Sequence, residues 1–341
     1  MDGDARVTRR RDDELDDHSR FDRPRRRTRP RTKDRPTYDD AVEGFVVTVD
    51  RGRLTVRVDD GTKQRNVTAM KSRPLGRKGV VVGDRVRLVG DVSGAAGSLA
   101  RIVEVLPRKT VLRRTADDSD PVERIVVANA TQLVVVAAVA DPEPRSRLID
   151  RCLVAAYDAG LTPLLCLTKV DLADPEGLLM IYRPLGVPYV VAERGSDLLE
   201  VRERLTDRVS VFVGHSGVGK STLVNALVPG ATRTIGHVNE VTGRGRHTST
   251  SALALELPDG GWVVDTPGIR SFGLAHVDPR ELIGAFEDLA VLTVDCPRGC
   301  THGEVEPECA LDDAVADGRV EAERVQSFRR LLTSRDRTEG D

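Results

Sequence analysis

Aromatic side chains are scarce in this chain of 341 residues, which has one tryptophan, four tyrosines and six phenylalanines. Its cores must therefore be built from valine, leucine, alanine and isoleucine. Long apolar runs are also missing. The longest, Leu133 to Ala140, has the length of a strand, whereas a membrane-spanning helix needs about 20 residues. We therefore expect no membrane partner.

Cysteine is too rare and too scattered, at five residues, for a disulfide scaffold. The first residues are rich in arginine and aspartate rather than apolar, so no secretory signal is expected. Both observations exclude a small secreted protein and predict a cytoplasmic location.

A net charge of −2 conceals a strong asymmetry along the chain. Residues 1–37 carry 13 basic and 9 acidic side chains, and residues 41–115 carry 16 basic and 7 acidic. A basic front half suggests contact with a polyanion such as a nucleic acid, the alternative being an ordinary solvated surface. Residues 1–38 are predicted to be a disordered basic arm that either touches phosphates or only favours solubility.

Short alternating segments follow the arm and are bounded by turns such as Asp59-Asp60-Gly61. Five strands within about 70 residues predict a small β-barrel of the OB type over residues 39–113. With so few aromatics to stack on bases, charge must carry most of any RNA affinity. A barrel without a ligand is the alternative. The predicted strands are 44–49, 54–58, 65–70, 85–89 and 100–105.

After residue 120 apolar strands alternate with helical stretches, which predicts a parallel sheet covered on both faces over residues 114–278. Residues 279–341 read as mostly helical. The fold class is thus multi-domain α/β. The strands predicted for the parallel sheet are 132–140, 163–168, 188–192 and 209–213, and the predicted helices are 145–159, 174–185, 196–205 and 220–228. Two further strands, 251–257 and 261–265, are predicted to form an antiparallel pair.

A glycine-rich segment follows the predicted strand 209–213 and opens a helix, matching the P-loop pattern in the context that it requires. Glycines let successive backbone N–H groups point at phosphate oxygens. Lys220 is expected to reach the β- and γ-phosphates, and Ser221 to ligate Mg²⁺. The nucleotide-binding residues predicted here are Gly214, Ser216, Gly217, Val218, Gly219, Lys220, Ser221 and Thr222.

Two further strand ends favour a guanine nucleotide, GTP or GDP. Thr168, Lys169 and Asp171 have the Thr-Lys-x-Asp form, in which the aspartate accepts hydrogen bonds from N1–H and the 2-amino group that adenine lacks. Asp265 suits a Mg²⁺ site, and the N–H of Gly268 can sense the γ-phosphate. The guanine motif precedes the P-loop, the reverse of the usual order, so the domain is predicted to be circularly permuted.

Three cysteines and one histidine lie within 14 residues of one another near the C-terminus. Three thiolates and an imidazole make a closed tetrahedral shell for one Zn²⁺, so a structural zinc-binding helical domain is predicted over residues 279–341. Unrelated buried cysteines are the alternative. Cys152 and Cys166 read as ordinary core residues. The predicted zinc ligands are Cys296, Cys300, His302 and Cys309.

These features together resemble the ribosome small-subunit-dependent GTPase A family over residues 41–335. Further shared segments are Val82 to Val86, Pro107 to Lys109, Asn129 to Leu133 and Gly245 to Thr250. The resemblance implies GTP hydrolysis that the 30S ribosomal subunit stimulates during late subunit maturation. It also implies contact with 16S rRNA and a monomeric protein.

Ile269 occupies the position where many GTPases place a water-orienting glutamine, so hydrolysis should need another group. His247 is the catalytic candidate, supported by the resemblance, because an imidazole can orient or deprotonate water. Its alternative roles are an exposed loop residue or an RNA contact. The switch hydroxyl that ligates Mg²⁺ stays open among Thr248, Ser249 and Thr250.

Two other functions remain open at this point. The first alternative is a nucleotide-gated RNA-binding protein with negligible turnover. The second is a GTP-dependent enzyme that acts on a different RNA or on a metabolite. Near the end of a predicted helix from Ala310 to Arg335, four arginines either contact rRNA or face solvent: Arg329, Arg330, Arg335 and Arg337.

Overall fold

The computed structural model describes residues 38–50, 52–75, 79–115, 123–230, 252–266, 274 and 276–336. The predicted basic arm, apart from residue 38, lies outside these ranges. Within them, every helix is too short or too polar to pass through a lipid bilayer.

The N-terminal part is a closed five-stranded barrel, which confirms the OB-like prediction. Strand order β1-β2-β3-β5-β4 closes by pairing of β1 with β4, and β3 runs parallel to β5. Along β2, Leu54, Val56 and Val58 are buried and alternate with more exposed neighbours, because successive side chains point to opposite faces. The strands are β1 (Val42–Asp50), β2 (Arg53–Asp59), β3 (Gln64–Lys71), β4 (Arg85–Gly90) and β5 (Ala100–Val105).

A two-stranded antiparallel sheet of β6 (Val111–Arg114) and β7 (Arg124–Ala128) follows the barrel and was not predicted. The Ala128 N–H donates to Val82 O at 3.0 Å, and the Asn129 side chain donates to Gly83 O at 2.9 Å. The fully buried Asp84 accepts two hydrogen bonds from Arg108, at 2.6 and 2.8 Å. Three of the segments that carry the family resemblance, those containing Asp84, Arg108 and Asn129, thus meet where the barrel contacts the sheet of β6 and β7.

Six strands form the sheet of the central part. Five of them, in the order β10-β9-β8-β11-β13, are parallel, and β12 pairs antiparallel with β13. The predicted parallel sheet is confirmed. The strands are β8 (Gln132–Ala138), β9 (Thr162–Thr168), β10 (Tyr189–Ala192), β11 (Val209–Val213), β12 (Leu253–Glu256) and β13 (Trp262–Asp265).

Helices cover both faces of this sheet, and β8 is therefore buried along its whole length. Leu133 and Val135 pack in the core that contains α1 and α2, whereas Val134 and Val136 pack in the core that contains α3 and α4. Cys152 and Cys166 are buried core residues, as predicted. The helices are α1 (Ser146–Asp158), α2 (Glu176–Tyr182), α3 (Leu199–Leu205) and α4 (Lys220–Leu227).

The barrel is attached to the sheet through β12. Thr48 of β1 pairs with Leu253, so the barrel strands and the parallel sheet form one continuous 11-stranded sheet. The rings of Phe45 and Trp262 lie 4.8 Å apart between centroids. Arg57 on β2 forms an ion pair with Glu256 on β12.

The C-terminal part is helical and packs on α1. The predicted helix from Ala310 is interrupted after residue 316 by a turn in which Gly318 adopts a φ of +68°, a conformation that side chains disfavour. The helices here are α5 (Pro279–Leu282), α6 (Glu287–Ala290), α7 (Ala310–Ala316) and α8 (Ala322–Asp336).

Of the four arginines considered for rRNA contact, Arg329 and Arg330 are bound within the protein, whereas the side chain of Arg335 and all of Arg337 lie outside the described residues. Arg330 donates to the buried Asp150 of α1 at 3.1 Å and to Ile181 O at 3.2 Å. Arg329, only 9% exposed, binds both carboxylate oxygens of Asp312 at 2.7 and 2.9 Å. Both side chains therefore tie α8 to other elements of the protein.

Candidate nucleotide site and metal centre

The loop between β11 and α4 is shaped for close approach to phosphate. A Cβ on Gly214 would lie 2.5 Å from Val136 O, so the backbone at this position leaves no room for a side chain. Gly219 has a φ of +90° and directly precedes the first residue of α4. The free N–H groups at this helix N-terminus can bind an anion.

A cation and a carboxylate meet at the mouth of this loop. Lys220 forms an ion pair with Asp265, which ends the neighbouring strand β13, and both side chains are more than four-fifths buried. Ser221 follows on α4 and is exposed. The ammonium can bind a phosphate oxygen, and the Ser221 hydroxyl and the Asp265 carboxylate are oxygen ligands of the kind that Mg²⁺ prefers.

The Thr-Lys-x-Asp segment lies against the same loop. The Thr168 hydroxyl, buried at the end of β9, donates to Val218 O at 2.6 Å. Lys169 follows with a φ of +58° and donates to Asp141 O. One hydroxyl therefore links the predicted base-binding segment to the predicted phosphate-binding segment.

These segments enclose a cavity of about 420 Å³. Its third wall is the backbone that follows β10, residues that were not among the predicted nucleotide-binding residues. The position of this segment after β10 could have identified it, because it leaves the parallel sheet at the same edge as the segments that follow Thr168 and Val213. The lining residues are Thr168, Lys169, Asp171, Leu172, Ala192, Glu193, Arg194, Gly195, Ser196, Leu198, Gly219, Thr222, Leu223 and Ala226.

The predicted nucleotide residues fall into two groups. The structure brings together the segments at residues 168–171 and 214–222 and the end of β13 at Asp265. His247, Thr248, Ser249 and Gly268 lie outside the described residues, so their roles stay predictions.

The predicted zinc ligands converge on one point. Nδ1 of His302 lies 3.6 Å from Cys296 Sγ, 3.5 Å from Cys300 Sγ and 3.9 Å from Cys309 Sγ. A tetrahedral zinc site with ordinary bond lengths has nitrogen–sulfur edges of about 3.5 Å. The four ligand atoms all lie within 4.8 Å of one another. The donor set and its spacing therefore fit one structural Zn²⁺.

Neighbouring groups are arranged to stabilise thiolates. The Ala310 N–H points at Cys296 Sγ at 3.3 Å, and the His302 N–H points at Cys300 Sγ at 3.4 Å. Burial raises the pKa of the Cys296 and Cys300 thiols, so a bound cation is needed to keep them deprotonated. Burial lowers the pKa of His302, which favours the neutral imidazole that binds metal.

The loop of residues 296–309, which carries the predicted zinc ligands, is also hydrogen-bonded to the C-terminal helix α8. Arg329 Nε donates to His302 O at 3.1 Å while its other nitrogens bind Asp312 on α7. The loop, α7 and α8 thus share one arginine. Its pKa is raised by the hydrogen bonds to Asp312, so it carries its charge at any ordinary pH.

The fold and the phosphate loop define the class of a circularly permuted GTPase preceded by an OB-like barrel and followed by a Cys₃His domain. The model of the RsgA GTPase family matches residues 105–275. A protein of Ectopseudomonas mendocina named small ribosomal subunit biogenesis GTPase RsgA is 46% identical over 242 residues, which are 68% of this chain and 69% of that protein. A protein of the same name from Pseudomonas aeruginosa is 44% identical over 247 residues, 70% of this chain and 72% of that protein.

Two solved structures have a similar fold. The crystal structure of YjeQ from Thermotoga maritima aligns with a TM-score of 0.65 and 28% identity, covering 86% of this chain and 98% of that one. The structure of YloQ, described as a circularly permuted GTPase, aligns with a TM-score of 0.64 and 24% identity, covering 89% and 98%. The chain belongs to the RsgA GTPase family.

The Thr168 hydroxyl is expected to matter for nucleotide affinity. Thr168→Val keeps the shape of the side chain but leaves Val218 O without its donor, a loss of about 1–2 kcal/mol. Because the two segments then separate more easily, we expect GTP and GDP to bind about tenfold more weakly in titration calorimetry. Thr168→Ser, which keeps the hydroxyl, is the control. Unchanged affinity for both nucleotides in Thr168→Val would contradict this role.

The zinc assignment predicts a difference between two cysteine variants. Cys309→Ser should lose zinc in a chelator competition and lower the free energy of unfolding by about 3 kcal/mol, which is a fall in Tm of roughly 8 °C. Cys152→Ala, at a buried cysteine outside the cluster, should keep one zinc per chain. The assignment is wrong if Cys309→Ser retains zinc as tightly as the unaltered protein does.

Proposed function

We propose that this protein is a GTPase that binds the 30S ribosomal subunit and hydrolyses GTP during late maturation of that subunit, with hydrolysis stimulated by the ribosome. The observation that carries this proposal is the cavity that the Thr-Lys-x-Asp segment and the phosphate loop enclose together. The names of the relatives supply the small subunit as the partner.

The base and the phosphates would occupy different ends of the site. Asp171 lines the cavity and offers a carboxylate to the N1–H and 2-amino donors of guanine. Lys220 and the α4 N-terminus serve the phosphates, and Ser221 with Asp265 serves Mg²⁺. Binding of the nucleotide with its metal would replace the contact between Lys220 and Asp265 with contacts to phosphate and cation.

The attacking water needs a positioning group that the chain does not supply at Ile269. His247 is the proposed group that positions this water when the 30S subunit is bound. Residues 231–251 precede β12 in the chain, and residues 267–273 follow β13.

The barrel offers a basic row to an RNA phosphate backbone. Arg53 on β2 lies opposite Met70 on β3, and Met70 lies opposite Arg101 on β5. All three side chains are exposed, and neither arginine has an ion-pair partner among the described residues. The arginines therefore flank a methionine on one face, about 10 Å apart at the strand spacing.

The proposal has further parts that follow from family membership and charge. The protein would act as a monomer in the cytoplasm, contact 16S rRNA through the barrel, and leave the subunit after hydrolysis. Zn²⁺ would hold the C-terminal loop in place without entering the reaction, because four protein ligands leave no position for water.

The deciding experiment compares GTP hydrolysis by the purified protein alone, with 30S subunits and with 50S subunits, using ATP as the substrate control. We expect acceleration by 30S subunits alone, and loss of at least about 100-fold of the stimulated rate in His247→Ala. GTP binding without acceleration would contradict ribosome-stimulated hydrolysis and favour a binding-only switch or another RNA. Full stimulation of His247→Ala would remove that residue as the catalyst.

A second prediction concerns the basic row. The double variant Arg53→Ala/Arg101→Ala should bind 30S subunits more weakly and reduce the slope of log affinity against log salt by about 2. Nucleotide affinity should not change. Arg147→Ala/Arg204→Ala, at exposed positions on α1 and α3, is the matched control and should leave the slope unaltered. An equal loss in both double variants would contradict a specific role for the row.

A further inference from the structure

The C-terminal part carries a surface of opposite character to the barrel. Val291, Val294 and Val305 are 68%, 81% and 93% exposed, more than the other large hydrophobic side chains that the structure leaves exposed in its described ranges. Side chains this exposed add almost nothing to the core. We call the two segments that carry these valines, residues 291–295 and 304–308 with the carboxylates Asp295, Glu304 and Glu308, the zinc face.

The valines lie close in the chain to the Cys₃His cluster. Val291 and Val294 stand three residues apart on a 3₁₀ turn, so they share one side of it. Val294 lies two residues before Cys296, and Val305 lies between His302 and Cys309. Since those ligand side chains converge on one point, both apolar segments are anchored beside the same cluster.

The charge of this region is strongly negative. Residues 287–313 carry eight acidic side chains and one arginine or lysine. Three carboxylates are engaged, Asp288 by Arg324, Asp312 by Arg329 and Glu306 by Thr301. Asp295, Glu304 and Glu308 are exposed and make no hydrogen bond or ion pair with the described residues.

We propose that the zinc face is a docking surface for a basic protein segment, one rich in lysine and arginine that also presents aliphatic side chains. The valines would be covered by the aliphatic groups, and the carboxylates would pair with the cations at the rim. An RNA backbone does not fit, because its phosphates would be repelled by the unpaired carboxylates. Two of the four arginines considered for RNA contact, Arg329 and Arg330, are bound within the protein.

This inference rests on the proposed function, which supplies a ribosomal particle as the source of such a segment. It assigns the two ends of the protein to different chemistry. Residues 41–115 have 16 basic and 7 acidic side chains and suit rRNA, whereas residues 279–341 have 8 basic and 15 acidic and suit a basic protein.

A charge-reversal experiment separates the two possible occupants by the sign of its result. In the full-length protein, Glu304→Lys/Glu308→Lys should weaken binding to purified 30S subunits about tenfold in sedimentation assays. If the face met rRNA, the added lysines would instead tighten binding. Glu200→Lys/Glu203→Lys on α3 is the matched control, and zinc content and basal GTP hydrolysis should be unchanged in both variants.

A photoreactive residue at Val294 supplies the second readout. An adduct between this protein and a ribosomal protein that survives RNase treatment supports the proposal. Unchanged or tighter binding of Glu304→Lys/Glu308→Lys, an RNase-sensitive adduct, or no adduct on a bound particle overturns it. If the unaltered protein does not sediment with 30S subunits at all, the proposed function fails and the docking proposal fails with it, which is a different outcome from binding that ignores the zinc face.

Discussion

The parallel register of β9, β8, β11 and β13 is the constraint on which the rest of the structure depends. Strands that run in one direction end at one edge, so the segments that follow them leave the sheet side by side. The Thr168 hydroxyl consequently reaches Val218 O, and Lys220 reaches Asp265, although these pairs are 50 and 45 residues apart in the chain. Circular permutation alters the order of the strands along the chain and leaves these neighbours intact.

The outer parts attach to different regions of this sheet. The barrel extends the sheet through β12, which follows residues 231–251 and precedes β13 in the chain. The C-terminal helix α8 packs on α1, where the buried Asp150 is paired with Arg330. Burial raises the pKa of Asp150 and the Arg330 guanidinium opposes that shift, so the charged pair holds only while α8 stays docked.

Features that depend on neighbouring residues were predictable from the sequence. The glycines of 214–219 form a loop that precedes α4, and the four Cys₃His side chains, which lie within 14 residues, converge on one point. Features that depend on distant partners were not predicted. The cavity wall at Ala192 to Ser196 has no motif of its own, and β6 with β7 forms a sheet because the joint to the barrel holds Ala128 against Val82.

Arg329 and Arg330 show most clearly the difference between what the sequence determines and what the tertiary structure determines. The sequence by itself determined the fold class, the glycine-rich loop, the Cys₃His cluster and the opposite charges of the two ends, because periodicity, spacing and composition are properties of neighbouring residues. Only the tertiary structure decided which charges remain available to a partner. Arg329 pairs with Asp312, and Arg330 pairs with Asp150. Glu304 and Glu308 have no such partner among the described residues and lie near exposed valines in the chain. Pairing of buried charges is decided by packing between elements far apart in the chain, and no local pattern encodes it.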